Sequence, residues 1–138
     1  MSTFTYDNAY RLVSQILSGA RATFVSDAAG NITVEWQEGT SPLTMSYDAA
    51  NRITTMKQGT PLTTVTYDNN GNPTQENAMG ALTTFAYDNE NRLTSVRASS
   101  GLRSTYTYDG DGLRRTAQEQ VSTVTTFVWD GDDYLGEY

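Results

Sequence analysis

Neither cysteine nor histidine occurs in the 138 residues, and proline occurs only three times. Without cysteine there is no disulfide framework, and without either residue there is no Cys/His zinc site, no histidine-based nucleophile triad and no imidazole switch near neutrality. Large aliphatic residues are scarce as well. Leu, Ile, Val and Phe supply 24 of the 138 positions, under the ~20% that, combined with high net charge, marks disordered chains. No apolar run approaches the ~20 residues of a membrane-spanning helix, and Met1 to Tyr10 lacks the basic and then apolar segments of a secretory leader. Positive charge is also short, with nine basic residues against sixteen acidic ones and a formal net charge of −7. Attraction to phosphate backbones or anionic lipid needs a local basic patch. The sequence has none, so neither nucleic-acid binding nor membrane insertion is expected.

What is present in quantity is threonine, 22 residues, and tyrosine, nine. Both favour strands, and disordered chains are typically poor in β-branched and aromatic residues. Their placement is periodic. An aromatic residue precedes aspartate at Tyr6-Asp7, Tyr47-Asp48, Tyr67-Asp68, Tyr87-Asp88, Tyr108-Asp109 and Trp129-Asp130, with Ser26-Asp27 as one degenerate copy. The intervals between successive aspartates are 20, 21, 20, 20, 21 and 21 residues, a repeat that organises the whole chain.

Other columns keep that register. Two residues before each aromatic position stand Phe4, Phe24, Met45, Val65, Phe85, Tyr106 and Phe127, and the polar or small residue between them gives the period-two alternation of a strand with one buried face. Five residues after each aspartate come Leu12, Ile32, Ile53, Pro73, Leu93, Arg114 and Leu135, in which Pro73 and Arg114 break an aliphatic column. Gly19, Gly39, Gly59, Gly80 and Gly101 mark a turn about twelve residues after most aspartates, and in the sixth repeat the equivalent turn is expected at Glu119 to Ser122. Each aspartate opens a second turn. Its carboxylate can accept from a backbone N–H two residues on, and Gly or Asn at the third following position tolerates the positive φ of a three-residue hairpin with a bulge.

The unit is therefore strand, glycine turn, strand, aspartate turn, and short connections make consecutive strands antiparallel neighbours. About thirteen strands are expected. An open sheet of more than about ten strands tends to curl, so the expected fold is all-β, with hairpin repeats of 20–21 residues in a curled or spiral sheet. Residues 1–138 form one array of about six and a half repeats.

The segments Tyr47-Asp48-Ala49-Ala50-Asn51-Arg52-Ile53-Thr54, Tyr87-Asp88-Asn89-Glu90-Asn91-Arg92-Leu93-Thr94 and Tyr67-Asp68-Asn69-Asn70-Gly71-Asn72 resemble the YD repeat of the RHS proteins, with its Tyr-Asp-x-x-Gly-Arg/Asn-Leu-Thr core. That family includes bacterial RHS polymorphic toxins, the C components of Tc toxins and animal teneurins. Tyr108-Asp109-Gly110-Asp111-Gly112-Leu113-Arg114-Arg115, then Phe127 to Asp132 and Leu135 to Tyr138, are similar to the segment that closes the run of repeats in RHS cores. The resemblance implies a spiral sheet that in full-length members forms a hollow shell around a toxin. It also implies a secreted or cell-surface location. No Asp-Pro-x-Gly-type self-cleavage motif and no toxin domain is found here, and six and a half repeats are too few for a closed shell.

For the aromatic–aspartate columns, turn chemistry and packing are explanation enough. Aromatic platforms for a sugar are the competing use, with Trp36, Trp129 and Tyr134 as the candidate ligand aromatics. Calcium loops beginning at Asp68 or Asp109 fail the EF-hand pattern, because Pro73 and Arg114 stand where its glycine belongs and Met79 and Gln120 where its glutamate belongs. Seven equivalent carboxylates recurring at every turn mark architecture rather than one acid–base pair, and Lys57, the only lysine, has no activating neighbour. No enzyme activity, metal or cofactor is expected. The expected role is a structural module whose partners are other YD repeats of the same or a parent chain. The edges of the first strand, Thr3 to Tyr6, and the last, Val124 to Trp129, lack an evident cap and invite edge-to-edge homo-oligomerisation. The alternative is a surface adhesion module that contacts glycan or a receptor through an aromatic face.

Overall fold

The computed structural model describes Ser2 to Tyr138. Its regular elements are all strands: β1 (Ser2–Tyr6), β2 (Leu12–Leu17), β3 (Ala20–Ser26), β4 (Ile32–Gln37), β5 (Leu43–Tyr47), β6 (Ile53–Gln58) and β7 (Leu62–Tyr67). There follow β8 (Pro73–Ala78), β9 (Ala81–Tyr87), β10 (Leu93–Arg97), β11 (Arg103–Tyr108), β12 (Arg114–Gln118), β13 (Val124–Asp130) and β14 (Asp133–Glu137). Within each of two compact units the strands lie in chain order. The all-β reading with antiparallel hairpin repeats holds. The chain divides into two compact units, Met1–Val65 and Thr66–Tyr138.

Two points correct the strand expectations. There is a fourteenth strand, because the chain turns back after Asp130 and pairs β14 with β13 through Phe127↔Glu137, Val128↔Gly136 and Trp129↔Tyr134. Exchanged bonds between Thr126 and Tyr138, at 2.9 and 3.1 Å, extend the ladder. The edge expected on Val124 to Trp129 is thus covered, and β14 lies outside it. The second point concerns burial. Only Ala22 in the first unit, and Ala117 with Ser104 in the second, are buried among the described residues. Most strand residues on both faces are half-buried, so the alternation of a one-sided core is blurred. Sheet stability must then come from cross-strand pairs and saturated hydrogen bonding.

The glycine turns solve their geometry in more than one way. Ser18-Gly19 and Met79-Gly80 are two-residue connections with both residues at positive φ, 51° and 90° in the first and 55° and 90° in the second. Two successive positive φ values are the signature of the I′ hairpin turn that matches strand twist. The glycine-free turn of the sixth repeat is closed by a 2.8 Å bond from Ser122 N–H to the Glu119 carbonyl. Buried Ser104 is fully engaged there, donating to Glu119 at 2.8 Å and accepting from Gln120 N–H at 3.2 Å.

Candidate functional site

At the other end of each hairpin the aspartates Asp7, Asp27, Asp48, Asp68, Asp88 and Asp109 build one turn six times. The N–H three residues on donates to the aspartate carbonyl, and the aspartate N–H donates to the carbonyl four residues on, all at 2.9–3.2 Å. The third residue has positive φ: Tyr10, Gly30, Asn51, Gly71, Asn91 and Gly112. This is the expected three-residue loop with a bulge. Tyr10, at φ 60°, is the costly member, since a left-handed backbone disfavours any residue with a bulky Cβ substituent.

Each carboxylate is consumed locally. In Asp88, Oδ1 accepts from Glu90 N–H at 3.0 Å and Arg92 N–H at 2.9 Å, and Oδ2 accepts from Arg92 Nε at 2.7 Å. Asp7 with Arg11 and Asp48 with Arg52 repeat the arrangement. At Asp27 and Asp68 the partner four residues on is Asn31 or Asn72, whose side-chain amide donates at 3.0 Å. These bonds hold the pKa of all five carboxyls below the ordinary aspartate value. The leading cause is the backbone N–H of the arginine for Asp7, Asp48 and Asp88, and the side-chain amide for Asp27 and Asp68.

The residue four after aspartate runs Arg11, Asn31, Arg52, Asn72, Arg92. Its role escaped the sequence reading, although the alternation is visible there. In the first unit Arg11 Nη1 donates to the Asp27 carbonyl at 2.6 Å and Asn31 Nδ2 to Asn51 Oδ1 at 2.8 Å. In the second, Asn72 Nδ2 and Asn70 Nδ2 donate to Asn91 Oδ1 at 2.8 and 3.0 Å, and Arg92 Nη1 donates to the Asp109 carbonyl at 3.1 Å. Each of these turns is therefore tied to its successor within the unit.

The aromatic column also binds neighbour to neighbour. Tyr47 Oη donates to the Ile32 carbonyl at 2.7 Å, Tyr108 Oη to Leu93 at 2.8 Å and Trp129 Nε1 to Arg114 at 2.8 Å. Each acceptor lies fifteen residues earlier, in the aliphatic column of the preceding repeat. The reason is geometric. β4–β5, β10–β11 and β12–β13 pair only up to Val34↔Thr44, Ser95↔Thr105 and Thr116↔Thr126, so the residue two positions beyond has no ladder partner on the following strand. The aromatic tip supplies the missing donor. At the bulge itself Thr33, Thr54, Thr74 and Thr94 return their hydroxyls to carbonyls eight residues back, at 3.1–3.3 Å.

Several predicted positions depart from this scheme. Tyr6, in the first strand, is 58% exposed. Tyr87 is pushed up in pKa by burial and by the nearby Asp68 charge. Asp130 does not build the aspartate turn at all: it pairs with Asp133 across a two-residue loop of Gly131 and Asp132, with Gly131 at φ 58°. Trp36 is half-buried in β4 and donates to the Thr40 carbonyl at 3.0 Å. Trp129 and Tyr134, by contrast, come together with ring centroids 5.4 Å apart and planes at 64°. They wall a cleft of about 390 Å³ in the second unit, shared with Leu113, Arg114 and Phe127. No group of three or more Asp or Glu side chains among the described residues is arranged to hold a metal ion.

Comparison with known proteins places this geometry. A sequence profile described as Teneurin YD-shell matches residues 1–134. No curated protein sequence matches significantly. Among solved structures, the Photorhabdus luminescens Tc holotoxin pore with a TccC3 mutation aligns with a TM-score of 0.80 at 16% identity, over 99% of this chain and 9% of that one. The crystal structures of TcdB2-TccC3-Cdc42 and of TcdB2-TccC3 give TM-scores of 0.78 and 0.77 at 15% and 16% identity, each over 94% of this chain. The chain spans less than a tenth of the length of these solved chains.

Proposed function

The chain belongs to the Teneurin YD-shell family and is a structural YD-repeat module, and we propose that it serves as a wall segment of a shell that encloses a secreted toxin or comparable cargo. The observation that carries the reading is the use of polar groups. The aspartate carboxylates and the Tyr and Trp tips, which in another protein would be free for chemistry, are spent on holding a turn or the adjacent repeat. A non-catalytic role follows, and with it a secreted or cell-surface location shared with the enclosed cargo. We read residues 1–138 as one array.

The same reading extends to assembly. β1 is exposed along its whole length and β14 along most of its own, with Phe4, Tyr6, Tyr134 and Leu135 between 47% and 63% exposed. Unpaired strand edges recruit further strands, so this chain associates edge to edge with other YD repeats or with itself. Sedimentation velocity over a concentration series is expected to show reversible association, which Thr3→Pro in β1 weakens. A single monomeric species at every concentration overturns self-assembly. Enclosure is tested with the reading frame that contains this chain: a downstream segment should resist protease when the repeats are present, and digestion at the rate of the isolated segment rejects it.

A further inference from the structure

The sixth repeat inverts two residues. Where three of the other repeats read Arg-Leu or Arg-Ile after the turn (Arg11-Leu12, Arg52-Ile53 and Arg92-Leu93) and two begin with Asn (Asn31-Ile32 and Asn72-Pro73), this one reads Leu113-Arg114. Side chains alternate faces along a strand, so the exchange puts an apolar group where the turn-tying arginine belongs and a guanidinium into the aliphatic column. The turn-to-turn ladder stops there, because Leu113 has no side-chain donor with which to reach onward and Asp130 has a different turn. The Arg114 guanidinium instead lies 4.9 Å from the Tyr106 ring centroid and 6.0 Å from that of Phe127, at the wall of the 390 Å³ cleft. Among the described residues it has neither an ion pair nor a side-chain hydrogen bond.

We propose that this cleft is a binding site for a peptide segment that presents an aromatic side chain next to a carboxylate. The donors decide the ligand class. Trp129 Nε1 is committed to the Arg114 carbonyl, Tyr108 Oη to Leu93, and Tyr134 Oη to Glu137 at 3.4 Å. A sugar ring brings several hydroxyls that each need a partner on desolvation, and the only wholly uncommitted side-chain donor in the cleft is Arg114. Its planar fork matches one carboxylate bidentately. Trp129 and Tyr134, set as two sides of a corner, offer an edge and a face to a third ring. The same hairpin carries Asp130, Asp132, Asp133 and Glu137, whose like charge penalises a polyanion more than a single carboxylate. This inference does not depend on the shell reading, since a shell wall and an isolated module can both carry the cleft.

The test uses the whole chain, ¹⁵N-labelled, titrated with acetyl-Phe-Asp-amide, acetyl-Phe-Asn-amide and glucuronate. The Trp129 indole signal is followed, distinguished from that of Trp36 by a Trp36→Phe variant. Saturable shifts with the Asp peptide are expected, with at least tenfold weaker binding of the Asn peptide. Arg114→Leu, which restores the residue found at Leu12 and Leu93, is expected to lose the Asp-peptide response at least tenfold while the melting midpoint is kept. Arg114→Gln gives the same readout should the leucine variant misfold. Equal affinity for the two peptides, or no saturation at millimolar concentration, overturns the proposal. Preferential binding of glucuronate overturns the peptide class, and concentration-dependent dimerisation that vanishes in Arg114→Leu without peptide binding assigns the cleft to a second copy instead.

Discussion

The turns at Asp88 and at Asp130 both follow an aromatic residue at a strand end, yet they are built differently. Asp88 spans a three-residue loop with Asn91 at φ 62° and closes it with three bonds accepted by its carboxylate. Asp130 is itself a strand residue, paired to Asp133 across two residues. The difference lies four positions on. Arg92 supplies both an N–H and a guanidinium to Asp88, whereas the residue four after Asp130 is Tyr134, which is drawn into β14 opposite Trp129. An aspartate organises the longer loop only when its fourth neighbour is free to turn back on it. The interior turns are thereby coupled to the next repeat, and the terminal hairpin is held by its rings.

That contrast can be broken at the terminal hairpin first. Trp129→Ala removes a half-buried indole, its contact with Tyr134 and the bond to Arg114, and is expected to lower stability by about 2–3 kcal/mol. Thermal melting with β14 amide exchange as the local readout checks it, and exchange in β14 left unchanged would show that the hairpin is not ring-held. Trp129→Phe isolates the hydrogen bond and should cost about 1 kcal/mol.

An interior turn is tested at Asn91. Asn91→Ala forces Ala into the left-handed region and removes the acceptor of two amides, for an expected loss of about 1–2 kcal/mol in denaturant unfolding. Asn91→Gly relieves the backbone but not the lost acceptor, so it should recover only part of that stability. Full recovery would mean that the ladder from Asn70 and Asn72 contributes nothing.

The aromatic bracket sharpens the contrast further. Tyr108→Phe leaves the Leu93 carbonyl without its donor and is expected to cost about 1 kcal/mol, while Tyr6→Phe in the exposed first strand stays within about 0.5 kcal/mol. Equal effects would remove the bracket as the reason for a hydroxyl in the column.

The smallest effect per residue is electrostatic. Asp7, Asp27, Asp48, Asp68 and Asp88 all have pKa values held below those of the unfolded chain. Their contribution is therefore fully present above about pH 4, the unfolded value, and is lost as pH falls through the lower folded values. The melting midpoint should drop through that acid window, and Asp88→Asn should flatten the drop while lowering the midpoint at neutral pH.

Much of the hairpin repeat was readable from residue order. Asp followed three residues later by Gly or Asn reported the turn type, because an Asx bond and a left-handed backbone involve only neighbours in the chain. The Arg and Asn alternation was equally visible, but its meaning was not, since Asn31 finds Asn51 only after two hairpins lie side by side. Strand β14 escaped for a related reason. One strand before each of the seven aspartates and one after each of the first six leaves none after Asp130, where a two-residue turn brings Asp133–Glu137 back onto β13.

The sequence by itself determined the period, the strand character and the local turn chemistry, each of which is decided within a few residues by φ, side-chain reach and face alternation. Only the tertiary structure decided where those turns send their spare donors. Whether Tyr108 caps Leu93, whether Arg92 reaches Asp109, and whether Arg114 lies over Tyr106 and Phe127 beside an open cleft depend on residues eight to seventeen positions apart meeting at the spacing of a sheet. No local preference encodes that distance.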